Sequence, residues 1–204
     1  MITIIDYGLG NLRSVQKSFE RANIDVKISR DIADIKAAEK LVLPGVGHFG
    51  KGMENLKKFD LISVLNEKVL EQKTPVLGIC LGMQLMTSFS EESDNEGLNW
   101  VDAKTLRFPK DEEKKYRVPH IGWNTANLEC SKSKIMKGIE DSSQFYFVHS
   151  YYVNCANEQD ILTKSSYGIN FVSSFQKNNI VGVQFHPEKS FTAGLTLLSN
   201  FSNI

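Results

Sequence analysis

Three separated stretches of this chain carry residue types that can do covalent chemistry together. Residues 76–84 read VLGICLGMQ, an apolar run ending in a cysteine set between Gly78 and Gly82. This G-x-C-x-G pattern is a thiol version of the strand-to-helix nucleophile elbow. Glycine is needed on both sides of Cys80 because the tight turn brings neighbouring backbone so close that a Cβ would clash. The turn would present the sulfur at the carboxyl end of a strand, with a helix starting at Leu81 to favour a thiolate. The Leu81 amide would point toward an oxyanion formed above the sulfur. Taken alone, the pattern serves equally for a buried structural thiol in a glycine-containing turn.

Residues 183–190, VQFHPEKS, change that balance. An apolar strand ends there in His186-Pro187-Glu188. In extended backbone, residues two apart share a face, and Pro187 restricts the chain between them, so Glu188 can lie against the His186 imidazole. That pairing orients the ring and stabilises its cation, while the other ring nitrogen takes a proton from Cys80 and returns it to a leaving amine. Singly, His186 could be a structural histidine and Glu188 a solvated carboxylate; with the elbow they form a Cys-His-Glu triad. A third stretch, LVLPGVGHFG at 41–50, follows another apolar run. Its Pro-Gly-Val-Gly loop frees the backbone around Val46, whose amide can reach an oxyanion, on the same sheet edge as the elbow.

These groups need a sheet to hold them. Ile2 to Ile5, Val26 to Ile28, Leu41 to Leu43 and Val76 to Ile79 read as strands, and the amphipathic segments between them as covering helices. Leu12, Val15, Phe19 and Ala22 fall at helical spacing, as do Leu61, Val64 and Leu65 leading to Val69. The alternation is that of a doubly wound, mostly parallel sheet. In the second half, FYFVHSYYV and NFVSSFQKNNIVGVQFH read as antiparallel strands extending it, with a hairpin at Asn178-Asn179. Ala193, Leu197, Leu198 and Phe201 give a closing helix. The stretch from about Glu91 to Lys115 reads as loop or short irregular elements.

At 204 residues and 41% hydrophobic content, the chain suits one α/β domain spanning residues 1–204. Its 24 basic and 24 acidic residues cancel, which argues against nucleic acid or an anionic membrane as the main partner. No apolar run approaches ~20 residues and the start, MITIIDYGLG, is not a leader, so a cytoplasmic protein is expected. Cys80, Cys130 and Cys155 are odd in number and lack CxxC spacing, which argues for free thiols and against a disulfide framework or metal site.

With these residues in view, the chain resembles the class I, triad-type glutamine amidotransferases, and within them the glutaminase subunits of imidazole glycerol phosphate synthase. The resemblance runs over essentially the whole length: IIDYGLGNLRSV, LPGVGHF, GICLGMQ, VPHIGWN, FYFVHSYY, QFHPEKS and the closing LLSNF. It implies the nucleophile at Cys80, the general base at His186 and the orienting carboxylate at Glu188. It further implies oxyanion amides at Val46 and Leu81, the former brought in by a peptide rearrangement of the PGVG loop. Gln84, Gly47 and the backbone of Ser150 and Tyr151 match glutamine contacts. Tyr7, Asn11, His120 and Trp123 match positions near a partner interface, with plain packing or a capped turn as the alternative for these four.

The same resemblance implies no cofactor, L-glutamine as substrate, and a separate (β/α)8-barrel cyclase subunit as partner in a heterodimer. The cyclase would use the ammonia to make imidazole glycerol phosphate and an aminoimidazole carboxamide nucleotide in histidine biosynthesis. Only sixteen residues follow Glu188, too few for an acceptor domain, which fits an acceptor on another polypeptide. Paralogues supplying ammonia for amidation of a bacterial surface sugar share these motifs. A cysteine peptidase would leave Gln84 and the PGVG loop unexplained, and a silent scaffold would leave the triad unexplained.

Overall fold

This computed structural model describes residues 1–109, 116–129 and 133–204. The apolar runs of the first half become β1 (Ile2–Ile5), β2 (Val26–Ser29), β3 (Lys40–Gly45) and β4 (Val76–Cys80), buried on both faces except in β2, which lies at the sheet edge. Between them run α1 (Leu12–Arg21), α2 (Ile32–Ala37), α3 (Phe49–Lys58) and α4 (Leu61–Asn66), the last prolonged by a wider turn at Glu67–Glu71. Local capping starts two of these helices: the Asn11 side chain accepts from the Ser14 amide, and Asp31 from that of Ala33. The elbow leads into α5 (Leu81–Leu85).

The stretch read from sequence as irregular contains a small hairpin, β5 (Phe89–Ser90) with β6 (Asn95–Glu96), and a regular strand, β7 (Ala103–Arg107). In β7, Ala103 and Thr105 are buried while Lys104 between them faces solvent, and Arg107 is exposed where the strand ends. The end of that stretch, residues 110–115, lies outside the described residues, as does Cys130. Then follow β8 (His120–Thr125), β9 (Asn127–Leu128), β10 (Gln144–His149), β11 (Tyr151–Cys155), β12 (Ile161–Tyr167), β13 (Ile169–Lys177), β14 (Ile180–Val183) and α6 (Phe191–Ser202).

The main sheet runs β2-β1-β3-β4-β14-β13-β11-β7, parallel through β14 and antiparallel beyond it. The hairpin expected at Asn178-Asn179 joins β13 to β14, with Lys177 opposite Ile180 and Asn178 at φ 54°. One strand departs from expectation: β10, the FYFVH run, does not extend the main sheet but pairs with β8 in a separate two-stranded sheet. Phe145 and Phe147 of β10 face inward onto Phe185, filling the layer beside α1 and α6.

Alternation along the strands feeds two cores. Ile5, Leu41 and Leu43 point to the side covered by α2 to α5, with Ile35, Phe49, Leu56, Leu65 and Leu85. Ile4, Val42, Leu77 and Ile79 point to the side covered by α1, α6 and β10, with Phe19, Leu197 and Phe201. Each such Leu, Ile or Phe contributes about 1.5–3 kcal/mol by burial, which fixes strand order and hence the strand ends at which chemistry can be assembled. No helix among the described residues is long and apolar enough to cross a membrane.

Candidate active site

Register places the reacting groups. Parallel pairing sets Gly45 of β3 beside Cys80 of β4, and Val183 of β14 beside Ile79. The PGVG loop therefore leaves the sheet on one flank of the cysteine and the QFHPE segment on the other. Cys80 itself has φ 53° and ψ −107°, a conformation that L-residues avoid. Glycines make it possible. A Cβ on Gly82 would collide with the Leu43 carbonyl, and one on Gly78 would meet the Gly82 and Met83 backbone at 2.8 Å. The following helix has only five residues, so thiolate support must come from local N–H groups rather than from a long helix dipole.

His186 enters from the other flank, buried, with its backbone N–H donating to the Tyr146 carbonyl at 2.9 Å. Its Nδ1 lies 2.8 Å from Glu188 Oε1, and both side chains are 2% exposed. The pairing differs from the extended form expected from sequence. Pro187–Lys189 is a 3-10 turn, with Pro187 at its first position, where a fixed φ and a missing N–H suit a helical start. Ser190 closes the turn by donating to the His186 carbonyl at 2.6 Å, and it accepts from the Tyr146 amide. His186 Nε2 is buried without a hydrogen bond of full geometry. Burial alone would disfavour the imidazolium, but the charge of the nearby Cys80 sulfur and hydrogen bonding to it, then Glu188, raise His186 to about 10. The imidazolium is the form of His186 that this environment favours.

In front of the sulfur lies a cavity of about 300 Å³, lined by Val46, Gly47, Cys80, Leu81, Gln84, Glu92, His149, Ser150 and Tyr151 among others. The sequence-derived oxyanion and substrate-contact residues thus all face one space. Two cavities of about 610 and 640 Å³ lie elsewhere and are lined by no cysteine or histidine. Gln84 is anchored by its amide, which donates to the Tyr151 carbonyl at 3.2 Å and to Gln184 Oε1 at 3.0 Å. His149 Nδ1 donates to the same Tyr151 carbonyl at 2.7 Å.

Two groups here escaped the sequence reading. Glu92 is the sole carboxylate among the lining residues, and it also accepts from the Phe49 amide at 2.6 Å, capping α3. It sits in the run EESDN, whose composition looks like a solvated loop. Gln184 is fully buried, with its Nε2 3.6 Å from Cys80 Sγ; one polar residue in VQFH gives no signal of its own.

The four residues matched to a partner interface separate. Trp123 is 43% exposed and stacks at 5.1 Å on Phe191, itself 77% exposed. Asn11 is exposed and caps α1. Tyr7 and His120 do not present their side chains at the surface. Tyr7 is fully buried under the PGVG loop, and a Cβ on Gly45 would strike its hydroxyl; burial and then the Cys80 sulfur push its phenol well above the usual range. His120 stacks between Phe147 and Tyr167. Cys155 is a free, buried thiol pushed up to about 12 by burial, then by Asp160 and Asp102, and so is chemically quiet.

Against known proteins, residues 3–203 match the family model "Glutamine amidotransferase class-I". Imidazole glycerol phosphate synthase subunit HisH 2 of Methanococcus maripaludis is 47% identical over 201 residues, covering 98% of each chain. Subunit HisH 1 of Campylobacter jejuni is 44% identical over 205 residues, covering 100% of each. A crystal structure titled as a glutamine amidotransferase shares the fold at TM-score 0.74 and 16% identity, covering 99% of this chain and 97% of that one. Full-length agreement in sequence and fold, on a cysteine held between two glycines and faced by a carboxylate-bound histidine, means that the chain belongs to the class I glutamine amidotransferases.

Proposed function

We propose that this chain is the glutaminase subunit of an imidazole glycerol phosphate synthase. The observation that carries the reading is that Cys80, Gln84 and Glu92 line one amino-acid-sized cavity while the buried His186–Glu188 pair interacts with the Cys80 sulfur. The Cys80 thiolate attacks the side-chain amide carbon of L-glutamine, and the oxygen becomes an oxyanion facing the amides of Leu81 and Val46. The His186 imidazolium gives its proton to the amide nitrogen. Collapse breaks the C–N bond, releasing ammonia and leaving a glutamyl thioester. Water, deprotonated by His186, then attacks the thioester, and glutamate leaves as the C–S bond breaks and the thiolate returns.

Gln84 and the backbone of Ser150 and Tyr151 seat the substrate. Glu92 supplies the negative charge that a substrate α-ammonium needs in a confined site. The ammonia passes to a separate (β/α)8-barrel cyclase that forms imidazole glycerol phosphate and aminoimidazole carboxamide ribonucleotide in histidine biosynthesis. Trp123 and Asn11, whose side chains reach the surface, belong to the docking face for that subunit, while Tyr7 and His120 are buried and act only through the elements that they pack under. The PGVG loop turns its Val46 amide inward when cyclase and nucleotide are present, which keeps the lone subunit quiet.

The test pairs this chain with a candidate cyclase and its nucleotide substrate. Glutamate release is expected to rise about tenfold or more on adding them. Cys80→Ala is expected to abolish glutamine-dependent synthesis while ammonia-dependent synthesis continues. Loss of both, or of neither, would overturn the assignment. Glutaminase activity that no cyclase and nucleotide enhance, but that a sugar-amidating partner does, would move the acceptor to a surface sugar.

A further inference from the structure

Strand β14 brings more than the histidine to the sulfur. Val183, the last residue of β14, pairs with Ile79, and the next residue, Gln184, reaches Cys80 with its side chain, with His186 two residues further on. Gln184 is fully buried, and its backbone N–H is held by the Ser173 carbonyl at 2.8 Å. Its side-chain orientation follows from its neighbours. Both protons of the Gln84 amide nitrogen are committed, to the Tyr151 carbonyl and to Gln184 Oε1. Gln184 must therefore offer oxygen to Gln84, which turns its NH2 toward Cys80 Sγ, 3.6 Å away.

We propose that Gln184 is a fourth catalytic group, whose amide N–H holds the Cys80 thiolate while its carbonyl holds Gln84, locking nucleophile and substrate seat into one hydrogen-bonded unit. This rests on Cys80 being the nucleophile. A neutral thiol or thioester sulfur is a weak acceptor, whereas a thiolate makes a charge-assisted bond. The contact therefore strengthens in two states: the resting ion pair, and the collapse in which sulfur leaves the acyl group. The titratable groups facing the sulfur are His186 with Glu188 behind it, Tyr7 from the end of β1, and His149 and Glu92 across the cavity. Gln184 is the neutral member of the set, so its effect on the sulfur is constant with pH.

The test reads the thiol directly and needs neither glutamine nor a partner. Alkylation of Cys80 by iodoacetamide is followed against pH on the full chain, with the Cys80 peptide resolved by mass spectrometry. Gln184→Met, similar in size but without the donor, is expected to move the alkylation midpoint up by about one unit, a tenfold slowing on the rising limb. Gln184→Glu keeps volume and the acceptor for Gln84 but sets oxygen against sulfur, and is expected to move it further. Profiles superimposable on that of the parent chain in either variant would overturn the proposal. A buried amide that only packed would leave them so. Because the glutaminase assignment stands or falls on Cys80→Ala with the cyclase, the two readings fail separately.

Discussion

Cys80 holds a left-handed backbone that costs about 1–3 kcal/mol in a residue with a Cβ, and glycine alone would relieve it. Cys80→Gly is therefore expected to be more stable than Cys80→Ala by about 1 kcal/mol, both being inactive, as measured by denaturant titration. Gly82 sets the opposite limit. Its missing Cβ is the space occupied by the Leu43 carbonyl, a backbone atom that no rotamer change can move aside. Gly82→Ala is expected to cost about 3 kcal/mol or more, seen as a fall in Tm. The glycines and Cys80 were legible in sequence because conformational need selects residue type. Glu92 and Gln184 were not, because their roles come from what folding brings opposite them, 43 and 104 residues away.

At the level of elements, β8 and β10 pair His120 opposite His149, and the rings join at 3.0 Å, Nδ1 of His120 to Nε2 of His149. His149 donates from Nδ1 to the Tyr151 carbonyl, so its Nε2 accepts and His120 is the donor between them. Protonating His149 would set donor against donor. Burial lowers His120 from an ordinary 6.5 to about 4 and His149 to about 3. Between 6.5 and those values these two rings bind more protons in the unfolded chain than in the folded one, so their contribution to stability is complete above pH 6.5 and is lost as the solution is acidified. Denaturant titrations from pH 7 to pH 4.5 are expected to lose up to about 1.4 kcal/mol per pH unit per ring, and His149→Gln to flatten the slope. The parallel strands could be read from apolar runs because both their faces are buried. The β8–β10 sheet could not, since pairing outside the main sheet leaves no mark on local pattern. β7 was hidden by Lys104 and Arg107, whose charges mask a half-buried alternation.

For the whole molecule, one cluster of exposed apolar side chains lies beside the catalytic turn. Ile121 and Trp123 project from one face of β8, and Phe191, which has a positive φ, stacks on the Trp123 ring. Exposed aromatics of this kind anchor interfaces rather than cores. Trp123→Ala together with Phe191→Ala is expected to weaken binding to the cyclase about 10- to 100-fold, measured by calorimetry, with little change in Tm. Unchanged affinity would place the docking face elsewhere.

The place of β14 has a consequence for how the chain is made. The strand that sits between β4 and β13 at the middle of the sheet follows β4 by about a hundred residues of chain, and the Val76 amide waits for the Asn179 carbonyl. A ribosome that has delivered the first 170 residues has released a half-sheet with β4 as an open edge, and a cysteine with neither its base nor its amide donor. The histidine that activates Cys80 and the strand that closes the β4 edge therefore arrive together, within a few seconds of translation.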